Sequence, residues 1–415
     1  MYNMYKFLSL LLFINLLLLQ GQEAGAATPA MRPDTSGTCF SAILDTAVNP
    51  YSLGIAGNWR PYRTYVYYGG RAEQDASSQT DIRRNGTFSS FVPFWNQQAI
   101  DSSWKPAYDT NTWVWNAQST LFNVKGFEME NKDPLGRYNA GLYGYDNAMP
   151  VAVIQNSRYR ESVFEGFEDY GFGNNNCDTT CSGNRNFDYS PYKLNFDTTV
   201  SHTGKYCLRI EAGQSAAVGT TVVADDPENF DFTVNTGYIG CSVNMVALQS
   251  IRADSKVILP SFSPLVGKRM LLSAWVKEAL DCQCSSYTNS NITVKTGTSN
   301  IVARPAGNII EGWQRIEQVV DIPAGATTFT VTLIASGNSA VYFDDIRIHP
   351  YNANMKSFSY DPVSLRLMAE LDENNYATFY EYDDDGTLVR VKKETERGIK
   401  TIRETRSALI KDENP

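Results

Sequence analysis

Histidine is almost missing from this chain: there are two in 415 residues, His202 and His349. A site built from three imidazoles is excluded, and a hydrolase triad would have to draw on one of these two. Positive charge is also short. Lys and Arg number 36 against 45 Asp and Glu, a formal net charge of -9 with a pI of about 5.0. That balance argues against nucleic acid and anionic membrane as main partners, because both require a basic face. No helical period of useful length is visible, and no apolar run after the first twenty residues is long enough to span a bilayer. The nucleophile elbow G-x-S-x-G, the zinc motif H-E-x-x-H and the phosphate-binding Walker loop are all absent.

The N-terminus reads as an export signal. A short start whose only basic side chain is Lys6 leads into the apolar stretch Phe7 to Leu19, and Ala24-Gly25-Ala26 supplies a cleavage signature. The mature chain is therefore expected outside the cell or on its surface, with no transmembrane segment. Cysteine usage agrees with export. Cys177, Cys181, Cys207, Cys241, Cys282 and Cys284 lie in the central segment, and Cys39 stands apart. The Cys282-x-Cys284 pair is too tight for a zinc knuckle, so the six read as disulfide candidates, with connectivity left open.

What is abundant is aromatic: 24 Tyr, 20 Phe and 7 Trp. Four regions are expected. Residues 1–26 are the signal. Residues 27–157 carry Trp59, Trp95, Trp104, Trp113 and Trp115. Their alternating runs Thr64–Gly70, Phe88–Trp95 and Asn111–Ala117 read as strands. Residues 158–352 contain Lys205–Ala212, Met270–Glu278, Ser290–Gly297, Trp313–Ile322, Thr327–Ser336 and Ser339–Ile348. Short strands at this spacing signal an antiparallel sandwich or barrel. Residues 353–415 alternate again at Ser357–Asp361, Ala377–Asp383, Thr387–Thr395 and Ile399–Arg406. The fold class is all-β. The Asn/Gly-rich stretch Gly171–Tyr192 reads as a surface insertion held by Cys177 and Cys181.

Phe164–Asp169 (FEGFED), Ser201–Ile210 (SHTGKYCLRI), Met270–Glu278, Gly312–Glu317 (GWQRIE) and Val341–Pro350 (VYFDDIRIHP) occur in that order. Together they resemble carbohydrate-binding modules of the family-four and family-nine type, with a galactose-binding-like jelly roll. Asn131–Asp146 (NKDPLGRYNAGLYGYD) and Ala369–Leu388 (AELDENNYATFYEYDDDGTL) resemble the YD repeats of bacterial RHS-type surface proteins, with Asn375 where the repeat usually carries Gly. The first resemblance implies glycan binding and a structural Ca²⁺. Glu168 and Asp345 match the family's positions, Asp344 competes with Asp345, and Lys205 and its turn would lend carbonyls. Calcium takes roughly six to eight oxygens at flexible geometry. The alternative is that these carboxylates are solvated strand ends.

Sugar sites use flat aromatics, and the candidates off the strand cores are Tyr189, Tyr192, Phe230, Phe232, Tyr238 and Tyr287. Each could instead anchor a long loop. Trp275 and Trp313 fall inside alternating strands and read as core. Asp383-Asp384-Asp385 before Gly386 lacks the twelve-residue calcium-loop spacing and reads as a repeat turn. Asn85 and Asn291 head glycosylation sequons. The leading expectation is non-catalytic glycan binding. The rival is a structural or interaction fragment of an RHS-like assembly, and a hydrolase comes third.

Overall fold

The computed structural model describes residues 61–71, 86–172 (except 89, 101, 103, 107–108 and 124), 185–224, 260–279 and 284–405, with backbone alone at 233–239 and 246–252. The expected signal segment, Cys39, Cys177, Cys181, Cys241, Cys282, Phe230, Phe232 and Asn85 lie outside the described residues. Among those residues every regular element is a strand except two short 3-10 turns, Tyr159–Glu161 and Ser190–Asn195. The chain is all-β, as the alternating patterns imply.

The central region is a sandwich. One sheet has seven strands, in the order β17 (Pro305–Ile310), β18 (Trp313–Asp321), β14 (Arg269–Glu278), β20 (Val341–Pro350), β10 (Cys207–Ile210) and β9 (Phe196–Asp197), with β8 (Val163–Glu165) also paired to β20. The other has four: β11 (Ser215–Thr221), β19 (Thr328–Ala335), β15 (Ser290–Thr296) and β16 (Ser299–Ala303). Residues two apart on a strand share a face. Leu272, Ala274, Val276 and Phe343 from the first sheet therefore meet Ile292, Val294, Phe329 and Val331 from the second in one buried core.

The two flanks join into a single ten-stranded antiparallel sheet. Its order is β1 (Arg63–Tyr67), β4 (Trp113–Phe122), β5 (Glu128–Lys132), β6 (Tyr138–Gly144), β7 (Met149–Gln155), β21 (Asn354–Tyr360), β22 (Leu367–Leu371), β23 (Ala377–Tyr382), β24 (Leu388–Thr395) and β25 (Gly398–Glu404). The chain leaves this sheet at Gln155 and re-enters at Asn354, which is its Cα partner across β7 and β21. The sandwich is thus inserted into a meander. Two hairpins stand apart: β2 (Trp95–Gln97) with β3 (Trp104–Pro106), and β12 (Thr233–Ile239) with β13 (Val246–Arg252). The run Phe88–Trp95 is not the strand its composition suggests. Pro93 supplies no ladder N–H; the run makes one isolated bridge, Phe88 to Arg71, and ladder pairing starts at Trp95.

One turn chemistry builds four of the sheet's hairpins. At Asn123, Asp133, Asp372 and Asp383 a side-chain oxygen accepts backbone N–H groups from residues further along its own turn. Three residues later stand Gly126, Gly136, Asn375 and Gly386, all with φ between 65° and 86°. Such Asx turns mimic a backbone turn and require a residue that tolerates the left-handed region. The acidic run at Asp383 is one of these turns.

The face of the ten-stranded sheet that meets the sandwich is read from its register. Leu142, Ala152, Ser357, Leu371 and Ala377 lie in one cross-strand row, and all five are buried. The small side chains in that row leave room for Arg347 of β20. Its buried guanidinium donates to Ser357 Oγ at 2.6 Å and to the Asp372 carbonyl at 2.6 Å. Burial pushes its pKa down to about 10, which still leaves it a cation at neutral pH.

Candidate functional site

The turn Ser201–Gly204 that precedes β10 lies against the far end of the ten-stranded sheet, and a cleft of about 720 Å³ opens beside it. Its walls come from both bodies. The sandwich contributes the turn, Lys277, Ile310, Glu311 and Trp313, and the sheet contributes β23, β24 and β25. Register places Phe379 opposite Lys392, Lys392 opposite Thr401 and Glu394 opposite Ile399. Directly paired residues share a face, so all five look into the cleft.

His202 is held from both sides. Its Nδ1 lies 2.7 Å from Asp345 Oδ2 and its Nε2 lies 3.1 Å from Glu394 Oε1. Its ring stacks on Trp275 at 4.3 Å between centroids and 17° between planes. Burial acts to lower the imidazole's pKa, but the two carboxylates overcome it and raise the value to about 9. The ring is therefore a charged bridge between the two bodies at neutral pH. The two neighbouring aspartates reach the turn together because of a local irregularity. The β14–β20 register shifts between Ser273 and Trp275, and Asp345 sits at φ 49°. In a regular strand consecutive side chains point to opposite faces; here the bulge lets both serve one turn. Asp344 Oδ2 accepts the backbone N–H of His202 at 2.8 Å, and Asp345 Oδ1 accepts the Thr203 hydroxyl at 2.9 Å.

The expected calcium donors meet around this turn, but their oxygens are largely engaged. Asp344 Oδ1 also accepts the Asp345 N–H at 2.8 Å. Glu168 Oε1 accepts the N–H of Lys205 and of Tyr206 at 2.7 and 2.8 Å, while the Lys205 ammonium pairs with Asp361 at 2.5 Å. Glu168 Oε2 differs. It is buried without a hydrogen-bond partner among the described residues, and burial pushes the Glu168 pKa up to about 8. Of the three expected carboxylates only Glu168 presents a bare buried oxygen. Among the described residues no group of three or more His, Cys, Asp or Glu side chains is arranged to hold a metal.

The loop aromatics expected to stack on sugars are placed differently. Tyr189 is fully buried between Phe167 and Phe187, and Tyr287 is buried with its hydroxyl donating to the Gly312 carbonyl at 2.7 Å. Half-buried Tyr192 spends its hydroxyl on Ala217, donating to its carbonyl and accepting from its N–H. These three are corrected to loop anchors: the Tyr189 and Tyr287 rings are buried, and Tyr192 is tethered to β11 through its hydroxyl, so none lies flat on solvent. Phe230 and Phe232 lie outside the described residues, as does the Tyr238 side chain on β12. The cysteine expectation is corrected at one position. Cys207 is a free thiol, buried and bonded through Sγ to the Val200 carbonyl at 3.0 Å. Its strand faces Trp275 and Trp313, with no second sulfur in that cluster. Cys284 is disulfide-bonded.

Sequence reasoning did not assemble His202, Lys277, Phe379, Lys392 and Glu394. The signal for the sheet residues was their alternation in β23 and β24, but alternation alone does not say what the buried face meets.

No family model and no curated protein matches the sequence. Among solved structures, a family 16 carbohydrate-binding module is similar to 37% of this chain at 12% identity and a TM-score of 0.21, over 82% of its own length. The xylan-binding domain from Paenibacillus barcinonensis is similar to 37% of this chain at 9% identity and a TM-score of 0.20, over 78% of its length. The enzymatically active domain of a tailspike protein from bacteriophage CBA120 is similar over 37% of this chain at 11% identity and a TM-score of 0.20, but only 17% of its own length is matched.

Proposed function

We propose that this chain is a non-catalytic carbohydrate-binding protein, exported and exposed at or outside the cell surface, and that the cleft beside the His202 turn receives the glycan. The observation that carries this reading is the composition of the cleft. Phe379 supplies a half-buried ring on the sheet side of the cleft, and Lys277, which has no ion-pair partner among the described residues, supplies an unspent donor. Sugar sites are concave and combine apolar ring faces with a few convergent polar groups. A structural Ca²⁺ would take Glu168 Oε2 as one ligand, and the roughly six to eight oxygens it needs would have to include Asp344 and Asp345 carboxylates that now accept from the Ser201–Gly204 turn.

The test is a glycan array with the full mature chain in millimolar Ca²⁺, repeated with Phe379→Ala and Lys277→Ala. Binding by the wild type, weakened about tenfold by either variant, supports the cleft. A wild type that binds no glycan overturns the reading.

A second reading, a structural or interaction fragment of an RHS-like assembly, is favoured by one observation. The outer face of the seven-stranded sheet is closed by the ten-stranded sheet. Trp275 donates its Nε1–H to the Asn375 carbonyl at 2.7 Å, and Cys207, Trp275 and Trp313 are packed by Tyr376 and Ile399.

A further inference from the structure

We infer that the isolated hairpin β2–β3 is a second glycan platform, on which Trp95 and Trp104 take an uncharged polysaccharide chain. The inference rests on the carbohydrate-binding reading above. The register pairs Trp95 with Pro106, Asn96 with Lys105 and Gln97 with Trp104. Directly opposed residues share a face, and so do residues two apart. Trp95, Gln97, Trp104 and Pro106 therefore stand on one face, with Asn96 and Lys105 on the other.

Trp95 is 53% exposed and Trp104 is 63% exposed. Tryptophan is highly buried on average, so two on one small face, both mostly in water, call for an occupant. They are diagonal neighbours, roughly 7 Å apart at Cα. That separation falls within the length of a disaccharide. A pyranose ring presents C–H bonds on its face and hydroxyls at its edge. The faces suit indoles and the proline ring, and the hydroxyls suit the Gln97 amide. That amide is steadied by donating from Nε2 to the Ser102 carbonyl at 3.2 Å. The base of the platform is anchored: Phe94 meets Trp95 at 5.5 Å and Trp113 of β4 at 5.5 Å, which ties the hairpin to the ten-stranded sheet.

The face carries no charged side chain, so a sulfated, phosphorylated or uronate-rich polymer finds no counter-ion there. A lipid surface is disfavoured by composition: the segment joining the two strands carries Asp101 and no basic residue, and an acidic residue repels anionic headgroups.

The experiment is affinity electrophoresis of the full mature chain through gels containing xylan, mixed-linkage β-glucan or galactomannan. Trp95→Ala and Trp104→Ala are run beside the cleft variant Phe379→Ala. Retardation of the wild type by at least one neutral polymer, weakened about tenfold by each tryptophan variant, is the expected result. Intrinsic tryptophan fluorescence that shifts on adding the same polymer, and stops shifting in the double variant, reports contact directly. If the wild type is retarded and both tryptophan variants match it, the platform is overturned while glycan binding at the cleft stands. If the wild type is not retarded by any polymer and is absent from every spot of the glycan array, the carbohydrate reading itself fails. Binding to anionic vesicles or self-association, lost in the tryptophan variants without any glycan effect, would reassign the face and overturn this inference.

Discussion

His202 Nε2 and Glu394 Oε1 lie 3.1 Å apart although their residues belong to different bodies, one to the turn before β10 of the sandwich and the other to β24 of the ten-stranded sheet. Both side chains are buried. Removing Glu394 leaves Asp345 facing His202 Nδ1 but strips the acceptor from buried His202 Nε2 and from the Ala377 N–H, which costs about 3 kcal/mol. Glu394→Ala should therefore lower the stability of the full chain by about that amount in urea unfolding. Glu394→Gln, which can still accept a hydrogen bond, should cost less. A change within about 0.5 kcal/mol for the alanine variant would show that the pair is not what joins the bodies.

Asn375 occupies a turn position at φ 65° that three other hairpins of the same sheet fill with Gly126, Gly136 and Gly386. Its Nδ2 donates to the Asp345 carbonyl at 3.2 Å and to Ser273 Oγ at 3.3 Å. Asn375→Gly and Asn375→Ala both lose these bonds, but only alanine adds a left-handed penalty of about 1 kcal/mol. Alanine should therefore unfold at the lower temperature in calorimetry. Equal midpoints would mean that the turn relaxes out of the left-handed region.

His349 on β20 is buried, and burial lowers its pKa to about 4. The folded state thus refuses a proton that the unfolded state takes up near pH 6.5. Stability from this group is complete above pH 6.5 and is lost as pH falls toward 4, to a total of about 3 kcal/mol. The charged neighbour on its own strand, Arg347, acts in the same direction. Denaturant midpoints measured from pH 7 to pH 4 should fall more steeply for the wild type than for His349→Gln. Parallel curves would rule out a neutral buried imidazole.

Calcium removal gives an independent check on Glu168. A ligand that binds only the native state stabilises it by about 2.7 kcal/mol at a hundred times its Kd. The wild type should melt at a higher temperature in millimolar Ca²⁺ than in EDTA, and Glu168→Gln should erase most of that difference. Identical wild-type melting curves in the two buffers would remove the ion from the proposal.

Alternation of period two was enough to mark β14, β15, β18, β19 and β20, and to make the chain all-β. It works for β15 and β19 because each buries one face in a local partner within the same sandwich, whereas β14 and β20 are buried on both faces, and β14 is apolar from Met270 to Val276 except at Ser273. The turns at Asp133, Asp372 and Asp383 were legible for a similar reason: an Asx oxygen and a residue tolerant of positive φ three positions later form a purely local arrangement.

Other features depended on distant partners. Tyr189 and Tyr287 sit in polar loops, and only the packed chain shows that their rings are spent inside. The union of β7 with β21 places Gln155 opposite Asn354 across the whole inserted sandwich, and no local pattern encodes that pairing. The sequence by itself determined strand periodicity, turn chemistry and the acidic, histidine-poor composition, because these depend on each residue and its immediate neighbours. Tertiary structure alone decided that His202 meets Glu394, that the partner covering Trp275 is the ten-stranded sheet, and that Trp95 and Trp104 remain in water. Those outcomes depend on which surfaces the inserted sandwich covers when the two flanks close around it.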